Sequence, residues 1–124
     1  MKLYQVFYLL LLVSHNSIAG TSKEIEYLLN FVASTDCKYE RNGDMHSGKE
    51  AVKHIKKKYN YYIDDIASTE DFVKYSATKS MISGNHYRIH CKNELPVKSS
   101  VWLLSELESY RTRTKPHSAT QRHE

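Results

Sequence analysis

The sequence predicts a small α+β domain, mainly helical, and three observations carry that prediction. The chain has 124 residues, 40% hydrophobic and 26% charged, which is enough for one core and too little for a multidomain enzyme. Four segments carry apolar residues at helical spacing, while two short segments alternate apolar with charged residues. The two cysteines fall one on each alternating segment. Ten tyrosines, three phenylalanines and one tryptophan also supply more aromatic surface than a disordered chain carries.

Each element has its own signal. Thr21 and Glu24 have the form of a capping box and predict the start of a first helix with Ile25, Leu28, Leu29 and Val32 on one face. A first strand follows in Cys37-Lys38-Tyr39-Glu40, ended by an Asn42-Gly43 turn where positive φ is cheap. A second capping box, Ser47 with Glu50, opens a helix that carries Val52, Ile55, Tyr59 and Tyr62, with Lys49, Lys53, Lys56 and Lys57 on its other side. Ser68, followed by Glu70 and Asp71, opens a third helix through Phe72, Val73 and Tyr75 that stops before Ser83-Gly84. In Tyr87-Arg88-Ile89-His90-Cys91 a second strand places Tyr87, Ile89 and Cys91 on one face. A fourth helix follows Pro96, with Val101, Leu104 and Leu107 on one face and Trp102 and Leu103 flanking it. The expectation is about four helices with a short two-stranded β element and no repeat or linker dividing it.

The N-terminus predicts export. Lys2, the apolar run Val6 to Val13 and the small residues Ser17 and Ala19 form a tripartite signal with cleavage after Ala19. The run is shorter than the roughly 20 apolar residues of a membrane span. This sets the expected organisation: a signal over 1–19, one compact domain over 20–110 and a basic disordered tail over 111–124. The mature protein is expected in the periplasm or outside the cell, as a monomer without a transmembrane span. In that oxidising setting, cysteines on matching apolar strand faces predict a Cys37–Cys91 disulfide. The net charge of +4 is concentrated at the ends, because between Gly20 and Tyr110 acidic and basic residues are equal in number. A neutral body argues against specific nucleic-acid binding.

The series Cys37-Lys38-Tyr39-Glu40-Arg41-Asn42-Gly43, Glu50-Ala51, His54 with Lys58, Asp71-Phe72, Ser80-x-x-Ser83-Gly84-x-x-Tyr87 and Trp102-Leu103 with Arg111 resembles the domain-of-unknown-function family 5329, a group of small exported bacterial proteins. The resemblance runs from about Glu24 to Arg111. It implies a signal peptide and one compact domain, with no assigned activity. This chain departs from the family mainly in its histidine-rich basic tail and at His46, where the family more often carries an aromatic residue.

The polar set with most chemical promise is Arg41, Asn42, His54 and Lys58. His54 and Lys58 lie one helical turn apart and share a face, and Arg41 ends the first strand. Together they are suited to grip a carboxylate or phosphate, the Arg as a planar fork and the Lys as a point charge. The structural alternative is a plain turn, an Arg41 ion pair and a histidine bonded to backbone. Ser80, Ser83 and Gly84 extend the candidate set as a small-residue anion loop, against the alternative that they only end a helix. Ser76-x-x-Lys79 matches a penicillin-binding nucleophile motif without its companion motifs, so no catalytic residue is assigned from it. His86 and His90 would sit roughly 13 Å apart on a strand, too far for one ion, so neither a metal nor a cofactor is expected.

The leading expectation is therefore a non-enzymatic exported module that binds an envelope partner or a small anionic ligand. One alternative is a small hydrolase with His54 as general base beside Ser80 or Ser83. Another is association with an envelope surface or nucleic acid through the basic tail.

Overall fold

The computed structural model describes residues 16–116, with side chains from Gly20 onward. Most of the expected signal and the end of the expected tail lie outside the described residues. Helix α1 (Asn16–Ser34) leads into strand β1 (Lys38–Arg41), strand β2 (Asp44–His46), helix α2 (Gly48–Tyr61) and a 3-10 turn (Ile63–Asp65). Helix α3 (Thr69–Ser76), strands β3 (Arg88–His90) and β4 (Val97–Lys98) and helix α4 (Ser99–Thr114) complete the described chain. The strands form one antiparallel sheet in the order β2-β1-β3-β4. Ile25, Leu28 and Val32 of α1, Ile55 of α2, Phe72 and Val73 of α3, and Leu103 and Leu107 of α4 meet Tyr39 and Ile89 of the sheet, and Tyr87 just before β3, in a single core.

The central strand pair is the one that the alternating segments predict. Tyr39 of β1 faces Ile89 of β3 in register, and both are buried. Cys37 and Cys91 are joined across that pair, 54 residues apart, and a loop of that length contributes about 4 kcal/mol on the chain-entropy model. The sheet has two further strands that the two-stranded expectation lacked. β2 folds back from β1 through Asn42 (φ 52) and Gly43 (φ 83), and β4 pairs with β3 just after Pro96. With three residues and two, they are too short to show an alternation of their own.

Start signals inside the chain hold where expected. Ser47 Oγ accepts from the Glu50 amide at 3.2 Å and Glu50 Oε1 accepts from the Ser47 amide at 2.8 Å, the reciprocal pair that fixes the start of α2. A Cβ on Gly48 would fall 2.1 Å from the carbonyl oxygen of Val32, so only glycine lets α2 approach the end of α1 this closely. Ser68 Oγ accepts from the Asp71 amide at 3.0 Å, which fixes the start of α3. Thr21, by contrast, is not a cap, because α1 already begins at Asn16. Glu24 turns its carboxylate outward to Thr69 and Arg111.

α4 is rotated from its expected phase. Ser99, Leu103 and Leu107 are buried, whereas Val101 and Leu104 are exposed. Four apolar residues in a row at 101–104 leave the phase open in sequence. The sheet settles it: the Ser99 amide donates to the Tyr87 carbonyl at 2.8 Å, and its hydroxyl bonds that of Tyr39 inside the core. The helix also continues past the expected domain boundary at Tyr110, which brings Arg111 and Arg113 into the fold.

Candidate functional site

Three elements bring Arg41, His54, Lys58 and Tyr87 together. Arg41 ends β1 before the tight turn, His54 and Lys58 share one face of α2, and Tyr87 stands immediately before β3. The backbone of Tyr87 is fixed on both sides, its amide donating to the Thr78 carbonyl at 3.0 Å and its carbonyl accepting from Ser99. With Asn42, Asp44, Ser80, Met81 and Ile82 these four residues line an open cleft of about 350 Å³. A smaller depression of about 20 Å³ shares Arg41, His54 and Tyr87 as walls, which is room for one water. His46 also borders it, with a buried Nε2 that has no hydrogen-bond partner.

The hydrogen bonds in the cleft have forced directions. A guanidinium can only donate, so in the bond between Arg41 and His54 the Nδ1 of His54 accepts. A neutral imidazole then carries its proton on Nε2 and donates to the Tyr87 hydroxyl oxygen at 3.1 Å. Lys58 Nζ donates to the same oxygen at 3.1 Å and to the Lys79 carbonyl at 2.7 Å. Burial first, then the charges of Arg41 and Lys58, push His54 down from its usual 6.5 to about 4, so the ring is neutral at physiological pH. Burial and then Arg41 lower Lys58, while burial raises the Tyr87 phenol.

Carboxylates leave this cluster unneutralised. Among the described residues neither Arg41 nor Lys58 takes part in an ion pair. Asp44 is the cross-strand neighbour of Arg41 and lines the cleft, yet it too makes no ion pair among the described residues. Two cations thus face a concave surface with a single carboxylate at its edge.

Of the remaining sequence candidates, Asn42 and Ser80 line the cleft and Ser83 stands beside it. Ser80 Oγ accepts from Asn42 Nδ2 at 3.3 Å and from the amides of Ile82 and Ser83 at 3.2 and 3.3 Å. Ser83 Oγ donates to Asn42 Oδ1 at 2.6 Å. The two serines clasp the 80–84 loop onto the hairpin turn, and neither is bonded to His54, whose two nitrogens face Arg41 and Tyr87. Gly84 adopts a φ of 74 and borders neighbouring depressions instead of the main cleft. His86 is exposed and His90 Nε2 meets Glu40 Oε1 at 2.5 Å. No group of three His, Cys, Asp or Glu among the described residues could hold a metal ion. Lys49, Lys53, Lys56 and Lys57 form a solvated helix face.

Sequence reasoning missed Tyr87 as a site residue, along with Asp44, Met81 and Ile82. Tyr87 was placed by its apolar strand face. The signal that could have found it is its hydroxyl, since a buried tyrosine needs a polar partner and α2 offers two on one face.

Fold and cleft together define a small disulfide-bonded α+β domain with a cation-lined surface pocket. Residues 19–111 match the model of a family of unknown function, DUF5329, and the chain belongs to that family. It is similar to the Uncharacterized protein YfeK of Salmonella typhimurium strain LT2, with 34% identity over 73 residues, which are 58% of this chain and 61% of that relative. The match thus spans about three fifths of the relative's length. No solved structure matches the chain. None of the described helices is long and apolar enough to cross a membrane, and the disulfide is of a kind that persists in oxidising compartments.

Proposed function

We propose that this protein is an exported, non-enzymatic binding module that takes a small anionic ligand, or an anionic group on an envelope partner, in the cleft of Arg41, His54 and Lys58. One observation carries the reading: Arg41 and Lys58 line a concave surface without an ion pair among the described residues. Two cations held near each other without an ion-pair partner repel, and an anion would relieve that repulsion. Asn42, Ser80 and Ser83 shape the cleft by fixing its loop. The disulfide supports an oxidising compartment, and the N-terminal signal supports the periplasm as that compartment.

The hydrolase alternative needs the hydroxyl of Ser80 or Ser83 within hydrogen-bond reach of His54. The imidazole instead bonds Arg41 and Tyr87, which gives that alternative no support. The test is calorimetric and NMR titration of the purified protein with small carboxylates and phosphate, beside Arg41→Ala. Binding that disappears in Arg41→Ala while its melting temperature is kept would support the reading. A wild-type protein inert to every anion would sink it. Mass spectrometry of the mature chain from the envelope fraction checks export, with Gly20 expected at its start.

A further inference from the structure

We infer that the ligand of this cleft is an organic monocarboxylate with an apolar body, and that the Tyr87 hydroxyl donates to its carboxylate alongside Arg41 and Lys58. The inference rests on the anion-binding reading above and adds the ligand class and a binding residue. It starts from the directions of the hydrogen bonds. Tyr87 Oη accepts from His54 Nε2 and from Lys58 Nζ, so both of its lone pairs are occupied and only its own proton remains to be placed. Arg41 fixes this arrangement at one remove, because its bond to Nδ1 leaves His54 no choice but to donate from Nε2.

The other two polar ends in the cleft are in the same condition. Lys58 has three ammonium protons and gives one to Lys79 and one to Tyr87. Arg41 spends part of its fork on His54 and retains the rest. Among the described residues, phenol, ammonium and guanidinium therefore each hold an uncommitted donor, and an oxygen-rich anion is the chemistry that accepts all three.

Charge and surface then narrow the class. Arg41 and Lys58 are positive, His54 is neutral and Asp44 is negative, so the lining carries one net positive charge. That balances a monoanion and leaves a phosphate dianion in excess beside Asp44. The rim is apolar: Met81 is 69% exposed and Ile82 96% exposed, both lining the cleft. The Tyr62 hydroxyl donates to the Met81 sulfur. A volume of about 350 Å³ lies at the small end of ligand pockets, which span about 300–1,000 Å³. A carboxylate bearing a short aliphatic chain or a single ring fits both the donors and the rim.

The experiment is an NMR titration of the purified protein at pH 7 with hexanoate, with acetate and with inorganic phosphate. Hexanoate should move the Tyr87, Lys58 and Ile82 signals and bind at least tenfold more tightly than either of the others. Tyr87→Phe should weaken hexanoate by about tenfold or more, the worth of a hydrogen bond to a charged group. Phosphate binding more tightly than hexanoate would overturn the ligand class and leave the anion reading standing, whereas silence towards all three anions removes both. Undiminished hexanoate binding by Tyr87→Phe overturns the role of the hydroxyl. If that variant does not fold, the nitrogen shifts of His54 in the wild type decide: a proton on Nε2 upholds the donor assignment, and a proton on Nδ1 overturns it.

Discussion

Arg111 at the helical end of the domain and Arg41 at its sheet end are the same residue in opposite settings. Arg111 of α4 lies between Glu24 of α1 and Glu70 of α3, at 2.7 Å from each, and Arg113 beside it reaches Glu106 at 3.4 Å. Both glutamates are held below the usual carboxylate range, chiefly by the hydrogen bonds from Arg111. Arg41 instead meets a neutral imidazole, and Lys58 on the neighbouring helix meets a carbonyl and a phenol. Where the fold supplies carboxylates, an arginine ties three helices together. Where it supplies neutral acceptors, the arginine keeps its charge for something else.

The largest effect should come from the covalent bond that holds the cleft's strands together. Cys37→Ala with Cys91→Ala removes the covalent link between β1 and β3 and should cost about 4 kcal/mol in denaturant unfolding. A loss below about 1 kcal/mol would mean that the sheet end is held by packing alone, since that is a typical single-mutation cost.

Arg111→Ala should rank second. It removes hydrogen bonds to two carboxylates and leaves both negative charges near each other, for about 1–2 kcal/mol after discounting for the exposure of the network. In a domain this size that lowers the melting temperature by about 4–8 °C per kcal/mol. Arg41→Ala should cost much less, within about 0.5 kcal/mol, because it strands no buried charge. Equal destabilisation by the two variants would break the comparison and make Arg41 part of the scaffold.

Much of the scaffold was legible because its signals are local. Ser47 with Glu50 and Ser68 with Asp71 are read within one turn of chain, and the alternation around each cysteine fixes which strands pair. What stayed illegible depends on distant partners. Val101-Trp102-Leu103-Leu104 has no unique helical phase until Ser99 is seated against Tyr39 and Tyr87. Arg111 and Arg113 look like the start of a polar tail until Glu24, Glu70 and Tyr27 are placed beside them. At the cleft, Arg41, His54 and Lys58 could be named from spacing and residue type. Tyr87 could not, because its ring obeys the strand pattern while its hydroxyl serves the helix opposite.

The remaining effect is the pH dependence, and it sharpens the comparison most. His54 in the folded protein titrates near 4 against its ordinary 6.5. As the pH falls below about 6.5 the unfolded chain takes up a proton that the folded chain refuses. Stability present above that pH therefore drains away until the folded ring itself protonates near 4. Glu24 and Glu70 act lower: depressed from 4.5, they keep their contribution at neutral pH and lose it as the pH falls below that value. Acid unfolding should thus have an upper component from the cleft and a lower one from the helical end. His54→Gln should flatten the upper component alone, and Arg111→Ala should reduce the lower one. Arg41→Ala should also raise the His54 titration point, since the guanidinium is one of the charges that hold it down. An NMR titration in which His54 stays near 4 without Arg41 would assign the depression to burial and the remaining charges, Lys58 foremost, and the cationic character of the cleft would have to rest on Lys58.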